Sequence, residues 1–358
     1  MKFGYRLMGF IGLLLASQVT MAMSAVVLQY HRIGETGAAI TRTSLANFQA
    51  HLDLIERFGL PVLPLPGLLK NICAENSGEM PESGIAITFD DAHISVYEQA
   101  WPALKARGWP FTVFVNTAAV DGEYASVMDW HQLQQLVDAG VIIGNHSVDH
   151  RHLSRQPEGL NQLQWRNWTL TQITTAQQRI DPQLGTQPKI FAYPYGEYDQ
   201  ESVDQLKQLG YSAFGQQSGA IGCHSNLQAL PRFPVSGVYA NPESVELKLL
   251  TLPFPLDGSW INPVRAAGDR RPQLELKFHA EGHRFDPASI SCFATGQGAI
   301  ETSWDQQQGV LSTQAAEDLP VGRSRYNCTV RNRLQQRYHW FSQPWFIPDD
   351  QGQWPAER

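Results

Sequence analysis

The sequence is short of charged residues and has no excess of basic ones. Charged residues make up 17% of the 358 residues, and 27 Lys and Arg stand against 34 Asp and Glu, for a net charge of −7. This balance argues against a nucleic-acid-binding protein and against a protein held at membranes by basic residues, since both need a cationic surface. Disorder is excluded as well, because 42% of the residues are hydrophobic and can build a sizeable core.

Long apolar runs are absent beyond the N-terminus. Residues 1–22 combine the basic Lys2 and Arg6 with the apolar stretch Leu7–Ala16 and small residues at the end, a pattern typical of a secretory signal peptide. An uncleaved membrane anchor is the alternative, but the apolar stretch is shorter than the ~20 residues that a span needs. We therefore expect an exported protein, periplasmic or secreted, without a stable membrane span after cleavage.

Cysteine is scarce as well, and the four residues are an even number that permits two disulfides in an exported protein. Cys292 and Cys328 lie in β-type runs, and Tyr326 stands two residues before Cys328, the spacing of a tyrosine corner beside an inter-sheet disulfide. Cys73 and Cys223 lie far from this pair in the sequence. Local context therefore predicts one bridge, Cys292–Cys328.

The length suggests two domains. From residue 26 to about residue 240, short apolar runs alternate with longer amphipathic stretches, the pattern of strands followed by crossover helices. Repeated units of this kind favour a parallel α/β sheet or barrel. Prolines cluster at 252–263, and short β-type runs with polar turns follow. We expect an α/β domain over 26–250 and a small all-β, sandwich-like C-terminal domain over 265–358.

Two adjacent carboxylates, Asp90 and Asp91, follow the apolar β-type run Gly84–Phe89. In a parallel α/β fold, residues just past the carboxyl end of a strand face the ligand crevice. Adjacent side chains point in different directions, so one carboxylate can bind a cation while the other handles a proton. The alternative is that one of them caps the helix predicted to start near Ser95.

Two histidines four residues apart, His146 and His150, follow the apolar run 141–144. With a carboxylate from another strand end they can form a three-ligand metal site that keeps positions open for water. These ligand types favour a divalent ion, first zinc, with cobalt, nickel or iron as alternatives. We expect the nearby His93 and His131 to be structural or surface residues.

A third strand end, after residues 190–193, runs into the turn Pro194–Gly196. The proline and the glycine restrict the backbone around Tyr195, a geometry that can aim a main-chain N–H at a developing oxyanion. An ordinary strand-ending turn with aromatic packing explains these residues equally well when they are taken alone.

Together, Thr88–Asp91, His146–His150 and Pro194–Gly196, in this order and at these separations, resemble the polysaccharide deacetylase family, the NodB-like domain of carbohydrate esterase family 4. The resemblance covers about residues 26–245. It implies a distorted (β/α) barrel with fewer than eight units. It also implies that the first aspartate is the catalytic base, and that the second aspartate and the two histidines bind the metal.

Three features of the sequence depart from the family pattern. Ala192 replaces an arginine, Ala92 replaces the glycine that usually follows the aspartate pair, and the late Leu-x-x-His motif is missing. The first and third departures are shared by the circularly permuted branch that resembles poly-N-acetylglucosamine deacetylases. That resemblance implies His31, which follows a tyrosine on the first predicted strand, as the catalytic acid. It likewise implies Arg232 as the residue that orients Asp90. Packing near the mature N-terminus is the alternative role for His31.

The resemblance implies metal-dependent hydrolysis of acetamido groups on an N-acetylglucosamine-containing polysaccharide, with release of acetate. The permuted branch favours a β-1,6-linked poly-N-acetylglucosamine or another exopolysaccharide, while chitin oligomers, peptidoglycan and O-acetylated sugars stay open. A catalytically degenerate domain that acts as an exported polysaccharide-binding protein is the alternative function. The aromatic clusters Tyr338–Phe341 and Trp345–Phe346 leave two further roles open, a glycan-binding module and a docking seam between domains.

Overall fold

The structure is a computed structural model that describes residues 23–73, 81, 83–258, 261–279 and 284–356. The signal peptide predicted for residues 1–22 lies outside the described residues. Within these ranges, no helix combines the length and the apolar character that a membrane crossing requires.

Parallel strands form the first half of the described chain, with bounds β1 (Ser24–Tyr30), β2 (Arg32–Ile33), β3 (Arg42–Thr43), β4 (Ser83–Asp90), β5 (Thr112–Val115), β6 (Ile142–Asn145), β7 (Ile190–Ala192), β8 (Ser212–Phe214) and β9 (Phe233–Pro234). Strands β2 and β3 pair with each other, and the other seven form one sheet in the order β8-β7-β6-β5-β4-β1-β9. Phe214 at the end of β8 also bridges Leu230, close to β9 at the opposite edge. The sheet therefore curls into a distorted barrel, which confirms the predicted fold.

Helices cover the outside of this sheet, with bounds α1 (Leu45–Arg57), α2 (Leu65–Asn71), α3 (Trp101–Ala106), α4 (Thr117–Asp121), α5 (Trp130–Asp138), α6 (Gln162–Leu184), α7 (Gln200–Gln208) and α8 (Pro242–Leu249). Capping boxes at Asp129, Asn161 and Asp199 start α5, α6 and α7. A π-helical turn, Val96–Ala100, leads into α3, and its start carries no side-chain cap. The capping role considered for Asp90 and Asp91 is therefore wrong.

Antiparallel strands form the C-terminal part, with bounds β10 (Gln273–Lys277), β11 (Ser291–Ala294), β12 (Gly298–Ile300), β13 (Thr302–Asp305), β14 (Val310–Gln314), β15 (Gly322–Arg331) and β16 (Tyr338–Ile347). They make two sheets, in the orders β10-β14-β13 and β12-β11-β15-β16. Side chains of both sheets share one apolar core, among them Leu274 and Leu311 from the first sheet and Tyr326 and Trp345 from the second. We call residues 273–347 the C-terminal sandwich.

Two disulfides are present. The predicted Cys292–Cys328 bridge is confirmed, but its expected position between two sheets is wrong. The two cysteines are directly opposite each other on β11 and β15, adjacent strands of one sheet, with Cα atoms 4.1 Å apart. Tyr326 nevertheless acts as a corner, because its hydroxyl donates to the Pro272 carbonyl and accepts from the Ala315 N–H. The second bridge, Cys73–Cys223, spans 150 residues of sequence.

Two of the C-terminal aromatic residues, Trp340 and Phe346, lie at the contact between the sandwich and the barrel, whereas Trp345 packs in the sandwich core. The Trp340 ring meets Phe233 of β9 edge to face at 5.5 Å, and Phe346 meets Tyr198 at 5.9 Å. The backbone of β16 also bridges segment 252–264 at two points. These contacts favour the docking seam over an open glycan platform, although Tyr338 stays exposed.

Replacing Cys292 and Cys328 by alanine should destabilise the protein by about 3–4 kcal/mol, because the closed loop of 36 residues would regain entropy in the unfolded state. Urea unfolding followed by tryptophan fluorescence under oxidising conditions measures the loss. The Cys73→Ala, Cys223→Ala pair keeps the sandwich bridge and should cost more, about 5 kcal/mol, because its closed loop spans 150 residues. A Cys292→Ala, Cys328→Ala protein as stable as the parent would contradict the assignment.

Candidate active site

The predicted site residues converge at the carboxyl-terminal edge of the parallel sheet. His31 follows β1, Asp90 and Asp91 close β4, His146 follows β6, and the Tyr195 turn follows β7. Parallel strands bring these ends together because all of them point the same way. Arg232 immediately precedes β9, which pairs with β1 at Leu28 and Gln29, and its long side chain reaches the same place.

Asp90 is fully buried and is held by three donors. Arg232 binds both carboxylate oxygens, Nη1 to Oδ1 at 2.7 Å and Nη2 to Oδ2 at 2.8 Å, and Gln29 Nε2 donates to Oδ2 at 2.7 Å. Burial alone would raise the pKa of Asp90, but the charge and hydrogen bonds of Arg232, with His146 and His31, lower it to about 2. Asp90 is therefore ionised at neutral pH and fixed in orientation.

His31 lies beside this carboxylate, with Nε2 4.0 Å from Asp90 Oδ2 and 14% of its side chain exposed. Burial lowers the pKa of His31, although Asp90 and Asp91 act against that shift. A protonated His31 therefore gives up its proton readily.

Asp91, His146 and His150 form a cluster whose candidate ligand atoms all lie within 4.8 Å of one another. Asp91 Oδ1 is 3.5 Å from His146 Nε2 and 3.3 Å from His150 Nε2. His146 Nδ1 lies 2.6 Å from the Ala192 carbonyl, to which it donates, so Nε2 carries the lone pair. Burial lowers the pKa of His146 to about 4, which keeps the ring neutral, as a metal ligand must be.

The residues present fit a metal ion. His146 Nε2 is buried and has no hydrogen-bond partner among the described residues, yet it faces a carboxylate and a second imidazole. A buried acceptor of this kind needs a donor or a cation. Burial would raise the pKa of Asp91, but its contact with His93 and the nearby His31, His146 and His150 hold the pKa well below its usual range, so the carboxylate is ionised. One carboxylate and two imidazoles suit zinc, cobalt, nickel or iron.

Left-handed backbone, rather than a helix, brings these groups together. Asp91 has φ 69°, Ala92 φ 49°, Ser147 φ 67° and His150 φ 58°. Such values are uncommon in residues other than glycine and tend to occur at functional sites. The four-residue spacing of the histidine pair therefore reflects a turn after β6. Ala92 adopts the left-handed conformation that the usual glycine would allow without strain.

His93 was expected to be structural or on the surface, and the surface role is wrong. The side chain is buried, and Nε2 lies 3.5 Å from Asp91 Oδ2, the oxygen of Asp91 opposite the metal cluster. A histidine two residues after a metal-binding carboxylate was the signal in the sequence. Asn116 Nδ2, which donates to Asp91 Oδ1 at 3.3 Å, had no such signal. His131 is exposed, as expected.

The Tyr195 turn packs against the metal cluster. Tyr195 has φ 58° and ψ 3°, and its ring meets His150 edge to face at 4.6 Å and stacks on His152 at 3.9 Å. Gly196, at φ 71°, has no room for a side chain, since a Cβ there would lie 2.5 Å from Gln216 Cβ. The turn is thus more specialised than an ordinary strand ending.

A buried carboxylate that the sequence reasoning missed lies under this turn. Glu197 accepts two bonds from Arg155, Nη2 to Oε1 at 2.6 Å and Nε to Oε2 at 2.8 Å, and His152 Nδ1 lies 2.8 Å from Oε2. Burial would raise the pKa of Glu197, but the bonds from His152 and Arg155 lower it. Glu197 therefore fixes the imidazole on which the Tyr195 ring stacks.

Comparisons with known proteins bear on this architecture. The polysaccharide deacetylase family model matches residues 77–214. YxkH of Bacillus subtilis (strain 168), a protein named after the same family, is 24% identical over 211 residues, 59% of this chain and 71% of YxkH. The poly-beta-1,6-N-acetyl-D-glucosamine N-deacetylase of Staphylococcus aureus (strain MRSA252) is 22% identical over 232 residues, 60% of this chain and 79% of that protein. The solved structure of the Streptococcus pyogenes deacetylase PplD has a similar fold, with TM-score 0.56 at 21% identity over 64% of this chain and 99% of PplD.

The family match over residues 77–214 indicates a hydrolase of the class that acts on carbon–nitrogen bonds other than peptide bonds, and the curled parallel sheet is consistent with it. Within that class, the chain carries a polysaccharide deacetylase domain of the NodB-like type. The resemblance drawn from three short motifs is confirmed.

Replacing Arg232 by glutamine should destabilise the protein by about 3–5 kcal/mol at pH 7, because Asp90 would stay buried without its cation. Since the pKa of Asp90 lies below its ordinary value, this stabilisation is present above pH ~4 and is lost as the pH falls toward 2. Urea unfolding at pH 7 measures the change. In an Asp90→Asn background the same substitution should cost far less, and an equal cost in both backgrounds would show that the two residues do not interact.

Proposed function

We propose that this protein removes acetyl groups from acetamido sugars of an N-acetylglucosamine-containing polysaccharide, releasing acetate and leaving a free amine. The observation that carries the proposal is the separation of the two neighbouring carboxylates. Asp90 is paired with Arg232 and lies beside His31, whereas Asp91 faces His146 and His150. Metal-assisted amide hydrolysis needs two separate sets of groups. One group must accept a proton from water, while other side chains bind the metal that polarises the carbonyl.

A divalent metal would be held by Asp91, His146 and His150, with zinc the first candidate and cobalt, nickel and iron the others. Bound there, the metal supplies Lewis-acid polarisation of the acetamido carbonyl and lowers the pKa of a bound water. His93 and Asn116, which contact Asp91, would keep its carboxylate in the binding orientation.

The chain's own residues handle the protons. Asp90 accepts a proton from the water that attacks the acetamido carbon, and Arg232 and Gln29 hold the carboxylate in place for this. The Tyr195 main-chain N–H donates to the oxyanion that develops as the carbon–oxygen bond forms. His31 then gives its proton to the departing nitrogen as the carbon–nitrogen bond breaks, so that acetate and an amine leave.

The substrate that we propose is a β-1,6-linked poly-N-acetylglucosamine or a related exopolysaccharide. Support comes from the Staphylococcus aureus relative, which is named for that polymer, and from the positions of His31 and Arg232 next to Asp90. A neutral acetylated glycan also suits a chain of net charge −7. We further propose that the protein is exported, which the two disulfides support. We also propose a catalytic domain over 26–250 and a separate domain over 265–358.

The metal-loaded protein should release acetate from β-1,6-linked N-acetylglucosamine oligomers, and Asp90→Asn should lower kcat by about 10²–10⁴-fold with metal content unchanged, because the proton acceptor is lost while Asp91, His146 and His150 stay in place. Acetate assays beside elemental analysis measure both quantities. Chitin oligomers, peptidoglycan fragments and O-acetylated sugars complete the panel. His131→Gln is the control, since His131 is an exposed histidine outside the metal cluster.

Parent activity in Asp90→Asn would refute the base assignment. A parent that binds these glycans but releases no acetate from any of them would instead establish the degenerate polysaccharide-binding function.

A further inference from the structure

An arginine of the C-terminal sandwich reaches the catalytic turn of the barrel. Arg323, on β15, donates from Nη1 to the Tyr195 carbonyl at 3.2 Å, and its guanidinium carbon lies 5.8 Å from the centre of the Tyr195 ring. Its Nε is 3.9 Å from Glu197 Oε1, and about half of its side chain is exposed. One side chain from the second half of the protein thus contacts both residues that shape the turn.

The turn needs such support, because its conformation is costly. Tyr195 is a non-glycine residue at φ 58° and ψ 3°, a left-handed conformation that its own side chain disfavours. Within the barrel, the Gly196 N–H bonds the Tyr193 carbonyl and His152 stacks on the Tyr195 ring. The Arg323 bond fixes the Tyr195 carbonyl and so restrains the φ and ψ of Tyr195, the residue whose N–H is the proposed oxyanion donor.

The strand that carries Arg323 is anchored beside the turn. It pairs with Phe346 across the β15–β16 ladder, and Phe346 packs against Tyr198, three residues after Tyr195. The backbone of Phe346 also bridges Val264. The sandwich is therefore anchored directly beside the turn, and the Arg323 guanidinium lies next to Tyr195.

Loss of Arg323 should leave the fold intact. Glu197 would keep its two-bond pair with Arg155 and its contact with His152, so no buried charge would be left without a partner. Arg325, two residues further along the same strand, makes a comparable contact across the domains, but to the Tyr239 hydroxyl at 3.0 Å and not to the Tyr195 turn. The chain thus offers a matched control.

We propose that Arg323 is a positioning residue for the deacetylation reaction, which holds the Tyr195 turn so that its N–H meets the oxyanion, and that the C-terminal sandwich thereby completes the active site. This inference rests on the proposed function. It also gives the sandwich a role that neither glycan binding nor simple docking supplies.

In Arg323→Ala, we expect kcat to fall about 10-fold with KM and metal content unchanged, because the donor would be misplaced only for the transition state. Arg323→Lys, which can still donate to the Tyr195 carbonyl, should recover part of the loss. Arg325→Ala should match the parent. An equal fall of kcat in both alanine variants would mean that any contact between domains has this effect, and would overturn the proposal.

Hydrogen–deuterium exchange of the peptide covering residues 193–198 gives a readout that needs no activity. Exchange should be faster in Arg323→Ala by about 10-fold and unchanged in Arg325→Ala, because the turn would open more often without its bond. Unchanged exchange in Arg323→Ala would overturn the proposal whatever the kinetics. A parent without acetate release on any glycan would refute the proposed function, while the exchange result would still decide whether Arg323 holds the turn.

Discussion

The buried ion pair between Arg232 and Asp90 is the interaction on which the rest of the site depends. It ties β9 to β4 across β1, and β1 contributes a further donor through Gln29. A buried carboxylate without a cation would take up a proton or turn toward solvent. The arginine keeps Asp90 ionised and fixed, and so leaves the neighbouring Asp91 as the carboxylate that faces the two histidines.

Two consecutive aspartates lie in different surroundings. Asp90 is the last residue of β4, and its carboxylate contacts Arg232. Asp91 follows the strand in a left-handed conformation, and its carboxylate faces His146 and His150. The strained residues of the site, including Tyr195, lie at strand ends that the surrounding core holds rigidly. On this account, the C-terminal sandwich is a part of that support, because Arg323 binds the Tyr195 carbonyl.

Much of this could be predicted from the sequence, since strand–helix alternation and strand-end motifs are local patterns. The parallel sheet, the family and the Cys292–Cys328 pairing followed from them. Contacts between distant segments could not be predicted, because nothing local marks them, as for the Cys73–Cys223 bridge and for Arg323 beside Tyr195. The burial of His93 beside Asp91 was not predicted, although its place two residues after Asp91 was a signal. The disulfide was expected to join two sheets because cysteine spacing does not show which strands pair.

The most direct test of the account is a crystal structure of the protein soaked with zinc and acetate, with the metal located by anomalous scattering. The account predicts an ion bound by Asp91, His146 and His150, with Asp90 still paired to Arg232 and outside the coordination sphere. An ion coordinated by Asp90, or one that leaves either histidine unbound, would contradict the proposal that Asp91 and the two histidines bind the metal while Asp90 accepts the proton.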